Sequence, residues 1–276
     1  MERRVPGYFD MLLLAFYSGC QGRFVHLGHW DEPPRLEIPI SADDFHEAQV
    51  RLNELLLGMA DLKDGQSVLD VGCGFGGTLQ HIDRCCRQMS LVGVNIDPRQ
   101  LEVCDELTTV SNNQLQWHEA DACALPFPDA VFDRILCIEA MFHFASRSDF
   151  FSEAARLVRP GGVLVISDIL LQKNEIAAKM SVEEVALALD QGYGPWPQPW
   201  CGLKELHETA SRFGFARQLE KDATIQTMPS HRFTAPADSK SISVEDADPS
   251  THSGWVLRQL HEQKLLKYVY VRYGRE

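Results

Sequence analysis

Residues Val68–Thr78 read VLDVGCGFGGT. An apolar strand carries Asp70 near its end and then breaks into Gly72, Gly74, Gly76 and Gly77. Glycines here leave the backbone bare of Cβ atoms where a ligand can approach. The helix that follows turns its N-terminus toward the same turn and favours negative charge there. On Gly72, Gly74 and Gly77 alone, the stretch satisfies G-x-G-x-x-G, the fingerprint of a dinucleotide site. Asp70 argues otherwise. A carboxylate at the lip of the turn would repel a pyrophosphate by an amount on the order of kcal/mol. The acid favours a phosphate-free ligand that carries positive charge.

Outward from this turn, strand and helix patterns alternate. Strands are predicted at SVLDVG (67–72), LVGVNI (91–96), LQWHEA (115–120), VFDRILCIEA (131–140) and GVLVISDIL (162–170). Between them, residues 76–88, 98–110 and 147–158 carry helical patterns, with Pro98 at a first-turn position. Such alternation implies parallel pairing through right-handed crossovers. Helices are also predicted at 1–20, at 41–62 with Ser41 and Asp44 as a cap, and at 202–213. Two late strands are expected at 215–226 and 265–274. The intervening stretch 235–254 is poor in apolar residues and reads as a mobile loop.

The bulk composition narrows the function. With 276 residues, 45% hydrophobic and 24% charged, the chain can bury a large core. A net charge of −13 excludes a general nucleic-acid surface. The eight cysteines follow no metal spacing and read as reduced thiols of a cytoplasmic protein. No catalytic metal is expected. The opening MERRVPGYFDMLLLAFYSGC is interrupted by Glu2 and Asp10, so it reads as an amphipathic lid helix rather than an export signal. No segment is long and apolar enough to span a bilayer.

The ordered motifs resemble those of class I S-adenosylmethionine-dependent methyltransferases. VLDVGCGFGG resembles their first motif, LVGVNIDPRQL the second, ADACALPFPDAVFD the adenine-binding segment, and LVRPGGVLVISD the approach to the fifth strand. Within that family, FVHLGHWDE, IEAMFHF and ISDILL resemble natural-product small-molecule methyltransferases, especially sugar O-methyltransferases of the rebeccamycin and erythromycin type. The resemblance implies an α/β, Rossmann-like, doubly wound sheet of seven strands, mostly parallel, with the last strand antiparallel. It implies one domain: an N-terminal helical lid (1–64), a cofactor-binding core (65–170), a lid insertion after strand five (171–200) and the remaining part of the sheet (201–276). The implied cofactor is S-adenosyl-L-methionine, and the partner is a small-molecule acceptor. Homo-oligomerisation stays open.

By that resemblance, Asp70, Gly72 and Gly74 hold the methionine part of the cofactor. Asn95 stands where relatives often place an acid for the ribose, and Gln100 shares that task. Asp121 and the Ala122 N–H meet the adenine, Ile96 packs on it, and Cys137 and Ile138 line the methionine part. His26 reaches the cofactor carboxylate from the lid. Acceptor chemistry falls at the carboxyl ends of strands four and five, where ligands of open α/β sheets sit. There His143 is the expected general base, Asp168 orients it, and Glu139 lies beside them. Sugar O-methyltransferases show a His-His pair; here Phe142 replaces its first member. Glu139 could instead serve C- or N-methylation, or the pocket could belong to a non-methylating cyclase. Tyr193, Trp196 and Trp200 are candidate acceptor-pocket aromatics.

Overall fold

A computed structural model describes residues 5, 7–32, 34, 39–108, 111–235 and 249–276. Its centre is a seven-stranded sheet ordered β3-β2-β1-β4-β5-β7-β6. The strands are β1 (Ser67–Val71), β2 (Ser90–Asn95), β3 (Gln114–Glu119), β4 (Phe132–Ile138), β5 (Val158–Leu171), β6 (Phe215–Asp222) and β7 (Leu266–Arg275). β1 to β5 pair in parallel. β7, the last strand in the chain, runs antiparallel to both of its neighbours.

Alternation along the central strands feeds two cores. Val68, Leu136, Ile138 and Val165 join one face, with Leu52 and Leu56 of α2 (Ala42–Ala60) and Leu79 and Ile82 of α3 (Gly77–Cys85). Leu69, Ile135, Cys137 and Ile166 join the other, with Phe150 and Phe151 from the helix Arg147–Leu157. Burial on both faces explains why these strands read as continuous apolar runs. α2 begins with the expected cap: Ser41 Oγ accepts from Asp44 N, and the Asp44 carboxylate accepts from Ser41 N.

α1 (Tyr8–Tyr17) is tied to α4 (Pro98–Glu106) by the Arg99–Asp10 ion pair at 2.6 Å. α5 is Arg147–Leu157. After β5 come α6 (Lys173–Ala177), α7 (Val182–Tyr193) and α8 (Leu203–Arg212). The short α9 (Thr224–Thr227) and α10 (His231–Thr234) follow β6.

One expectation is corrected. Residues 249–254, read as mobile loop, begin α11 (Pro249–Glu262), whereas residues 236–248 lie outside the described residues. The polar first turns of α11 gave no helical signal. Its Val256, Leu257 and Leu260 are buried in one cluster with Val185, Ala188 and Leu189 of α7. That helix therefore depends on tertiary burial rather than propensity. Ser253 Oγ also bonds the Ala188 carbonyl. None of the eight cysteines is paired. Among the described residues, no helix is long and apolar enough to cross a membrane.

Candidate functional site

The glycine turn lies between β1 and α3. Gly72 (φ 81°) and Gly76 (φ 74°) occupy the left-handed region that favours glycine. A Cβ on Gly72 would fall 2.4 Å from Ala140 Cβ, and one on Gly76 2.5 Å from Trp117 Cη2. The close approach these two glycines serve is thus to protein neighbours. Gly72 and Gly74 nevertheless border a cavity of about 850 Å³ at the carboxyl ends of the strands.

Asp70 faces that cavity while only 2% exposed. Its carboxylate accepts no hydrogen bond from any described residue, and burial pushes its pKa up to about 7. A carboxylate left without a partner in an apolar wall is costly unless a ligand satisfies it. A ligand with an ammonium group answers that need; a pyrophosphate aggravates it.

The next two strand ends complete this half of the cavity. Asn95 Nδ2 donates to Gln100 Oε1 at 3.0 Å, and Asn95 Oδ1 accepts from Asp97 N at 3.2 Å. Gln100 Nε2 is buried without a partner. The free amide donor is therefore on Gln100, which borders the cavity. Asp121 borders the cavity while its Oδ1 accepts from Cys123 N at 2.8 Å. Ile96, Ala122 and Ile138 also line the wall.

Two cofactor expectations need correction. Cys137 does not line the cavity; it is fully buried in the opposite core. Strand alternation turns it away from its neighbour Ile138. His26 does line the cavity, but its Nδ1 lies 2.7 Å from the Leu27 carbonyl. A carbonyl only accepts, so Nδ1 carries the proton and Nε2 a lone pair. Burial lowers the His26 pKa to about 4, and Nε2 has no partner. A lone pair suits a donor, not the carboxylate expected there. The missed candidate for that carboxylate is Arg23, whose side chain borders the cavity with no partner among the described residues.

The acceptor half starts at the end of β4. A short 3-10 turn, Met141–His143, carries His143. Its Nδ1 lies 3.0 Å from the Pro195 carbonyl, so Nδ1 donates and Nε2 bears the lone pair. Tyr8 Oη of α1 donates to Nε2 at 2.9 Å. Burial lowers the His143 pKa to about 4, with the Pro195 bond opposing and Arg147 assisting. Nothing in the sequence pattern pairs Tyr8 with His143; they are brought together only by docking of α1.

Asp168 does not orient His143. It is fully buried and pairs with Arg147 of α5, Oδ2 to Nε at 3.1 Å. Alternation again supplies the reason: Ile166 and Leu170 share its face in the second core, while Ile169 borders the cavity. Burial raises the Asp168 carboxyl, and Arg147 opposes this. Replacing Arg147 with methionine should therefore destabilise the fold by about 3–5 kcal/mol, measured by urea unfolding. A loss below about 1 kcal/mol would contradict this buried-pair role.

Glu139 follows β4 in a left-handed conformation (φ 51°), unusual for a residue with a side chain. Its Oε2 accepts from Leu27 N at 2.9 Å and Tyr268 Oη at 2.5 Å. Among the described residues nothing donates to Oε1. Burial raises its pKa to about 7, against the two bonds. Tyr193 and Trp196 line the same cavity, whereas Trp200 does not.

Residues 69–166 match the family model described as a methyltransferase domain. That segment resembles a methyltransferase domain. It is 34% identical over 197 residues to methyltransferase GfsG of Streptomyces halstedii, covering 70% of this chain and 64% of that protein. Against erythromycin 3''-O-methyltransferase of Saccharopolyspora erythraea it is 32% identical over 152 residues, covering 54% and 47%. The chain thus spans less than two thirds of these curated relatives. In fold it resembles the 4+2 cyclase SpnF, with a TM-score of 0.71 at 18% identity, covering 97% of this chain and 93% of that one. The mostly parallel seven-stranded α/β sheet is shared with that structural neighbour.

Proposed function

We propose that this chain methylates a hydroxyl group of a small, mainly apolar molecule, with S-adenosylmethionine as methyl donor and His143 as proton acceptor. The observation that carries this reading is the neutral His143, its Nδ1 committed to Pro195, its Nε2 lone pair in the cavity that Asp70 borders. When bound, S-adenosylmethionine supplies a methyl group on a positively charged sulfur. Asp70 suits its ammonium, Arg23 its carboxylate, and Gln100 and Asp121 its nucleoside part.

The chain's own residues supply orientation and a place for one proton. A hydroxyl on Nε2 of His143 is held by its proton and loses that proton as the new oxygen–carbon bond forms. Proton uptake leaves the net charge of the pocket unchanged, because a positive charge on sulfur is lost in the same event. This offsets the absence of a carboxylate behind the imidazole. The acceptor must take the place of Tyr8 Oη. Tyr8→Phe should accordingly lower the acceptor KM by about three- to tenfold, the equivalent of one hydrogen bond, without lowering kcat. A hundredfold loss of kcat would instead place Tyr8 in the proton path.

The general test is formation of S-adenosylhomocysteine with a panel of hydroxylated natural products. A second reading rests on Glu139, whose left-handed backbone and free Oε1 suit stabilising a cationic carbon centre or removing a proton from carbon. Activity that survives His143→Ala but not Glu139→Gln would select it. Turnover of an acceptor with no S-adenosylhomocysteine released would select a cyclase.

A further inference from the structure

Two buried histidines in contact with each other play no part in the methyl transfer, and one of them, His231, borders the cavity. His231 of α10 and His261 of α11 are 4% and 1% exposed. His261 Nε2 lies 2.5 Å from the Thr224 carbonyl, and His261 Nδ1 lies 2.9 Å from His231 Nε2. The tautomers follow in order from the carbonyl, which can only accept. His261 Nε2 carries its proton and Nδ1 accepts; His231 Nε2 therefore donates and Nδ1 holds a lone pair. No described residue donates to that lone pair.

His231 borders the same cavity as Glu139 and His143. Its position is fixed by its neighbour: Ser230 Oγ accepts from Gly28 N at 2.9 Å, next to Leu27, whose N–H holds Glu139. Asp70 and Asn95 lie at the carboxyl ends of β1 and β2 and Asp121 just after β3, whereas α9 and α11 pack on β7, across the sheet. The same cavity is lined by Phe45 and Phe233, stacked at 4.6 Å, by Leu257, and by the polar Gln49, Thr234 and Thr251.

We infer that His231 Nδ1 is a specificity-determining anchor, accepting a hydrogen bond from a second hydroxyl or N–H of an elongated, largely apolar acceptor whose other end meets His143. The inference rests on the proposed methyl transfer for the identity of that other end. Burial and the neighbouring His261 hold the His231 pKa well below its usual value, so the imidazole stays an acceptor under ordinary conditions. A buried imidazole lone pair discriminates strongly, because an acceptor lacking the donor leaves it unsatisfied.

The test compares straight-chain alkanols with the matching terminal diols, from hexane to dodecane derivatives, as probes of the whole protein. Binding is measured by calorimetry with and without S-adenosylhomocysteine. One diol length is expected to bind about tenfold tighter than its alkanol. His231→Leu should abolish that preference while leaving alkanol binding unchanged, and His231→Gln, which keeps an acceptor oxygen, should restore part of it. Equal binding of diols and alkanols by the unaltered protein would overturn the inference, as would a preference that persists in His231→Leu. Failure to bind S-adenosylhomocysteine would overturn the cofactor reading alone, since the probe comparison is also made without it.

Discussion

His143→Ala is expected to lower kcat by about 10²–10⁴-fold while leaving the Kd for S-adenosylmethionine within about twofold. The imidazole borders the cavity, and its bonds go to Pro195 and Tyr8. Its loss removes the proton acceptor without touching Asp70, Gln100 or Asp121. The pH profile is a second signature. With a His143 pKa near 4, Nε2 is already unprotonated throughout the neutral range. At saturating cofactor, the His143-dependent part of kcat should therefore be level from about pH 6 to 8 and fall only as pH drops toward 4. A His–Asp dyad with a raised histidine pKa would instead give a rise across pH 6 to 8.

Asp70→Ala should weaken S-adenosylmethionine binding by about 100- to 1,000-fold, because an ammonium group would lose a buried counter-charge. The unaltered protein should also bind in a pH-dependent way. Burial puts the Asp70 pKa at about 7 in the ligand-free protein. Below that value the carboxyl is protonated and must release its proton to meet an ammonium, so affinity should drop toward tenfold per pH unit as pH falls from 7. Above 7 the carboxylate is already formed and the Asp70 contribution is constant. Asp70→Asn should bind weakly at every pH and lose this slope. Glu139 titrates near the same value, so Glu139→Gln is the control: it should keep the slope.

The alternation of strands and helices was legible in the sequence because it depends on local signals. VLDVGCGFGG combines an apolar run, an acid and a glycine turn within ten residues, and all of these act on their own neighbours. Asp70 and Asn95 sit at the carboxyl ends of β1 and β2 and Asp121 just after β3, so topology alone brings them to one edge. The acceptor half depends on contacts between distant segments. Tyr8 meets His143 across 135 positions, and Glu139 meets Tyr268 across 129. No periodicity encodes such pairs. Asp168 and Cys137 went astray for a simpler reason. Each stands beside a residue that does line the cavity, Ile169 and Ile138, and a one-residue step along a strand changes the face. The helix Pro249–Glu262 was hidden because its first turns are polar and its apolar side is defined by α7. His231 and His261, thirty positions apart, gave no motif at all.

The central claim is that the glycine turn and Asp70 serve a cationic, phosphate-free cofactor. Calorimetric titration of the purified chain with S-adenosylmethionine and, separately, with NAD tests it most directly. Saturable one-to-one binding of S-adenosylmethionine and no heat with NAD are expected. Saturable binding of NAD with no heat from S-adenosylmethionine would contradict it.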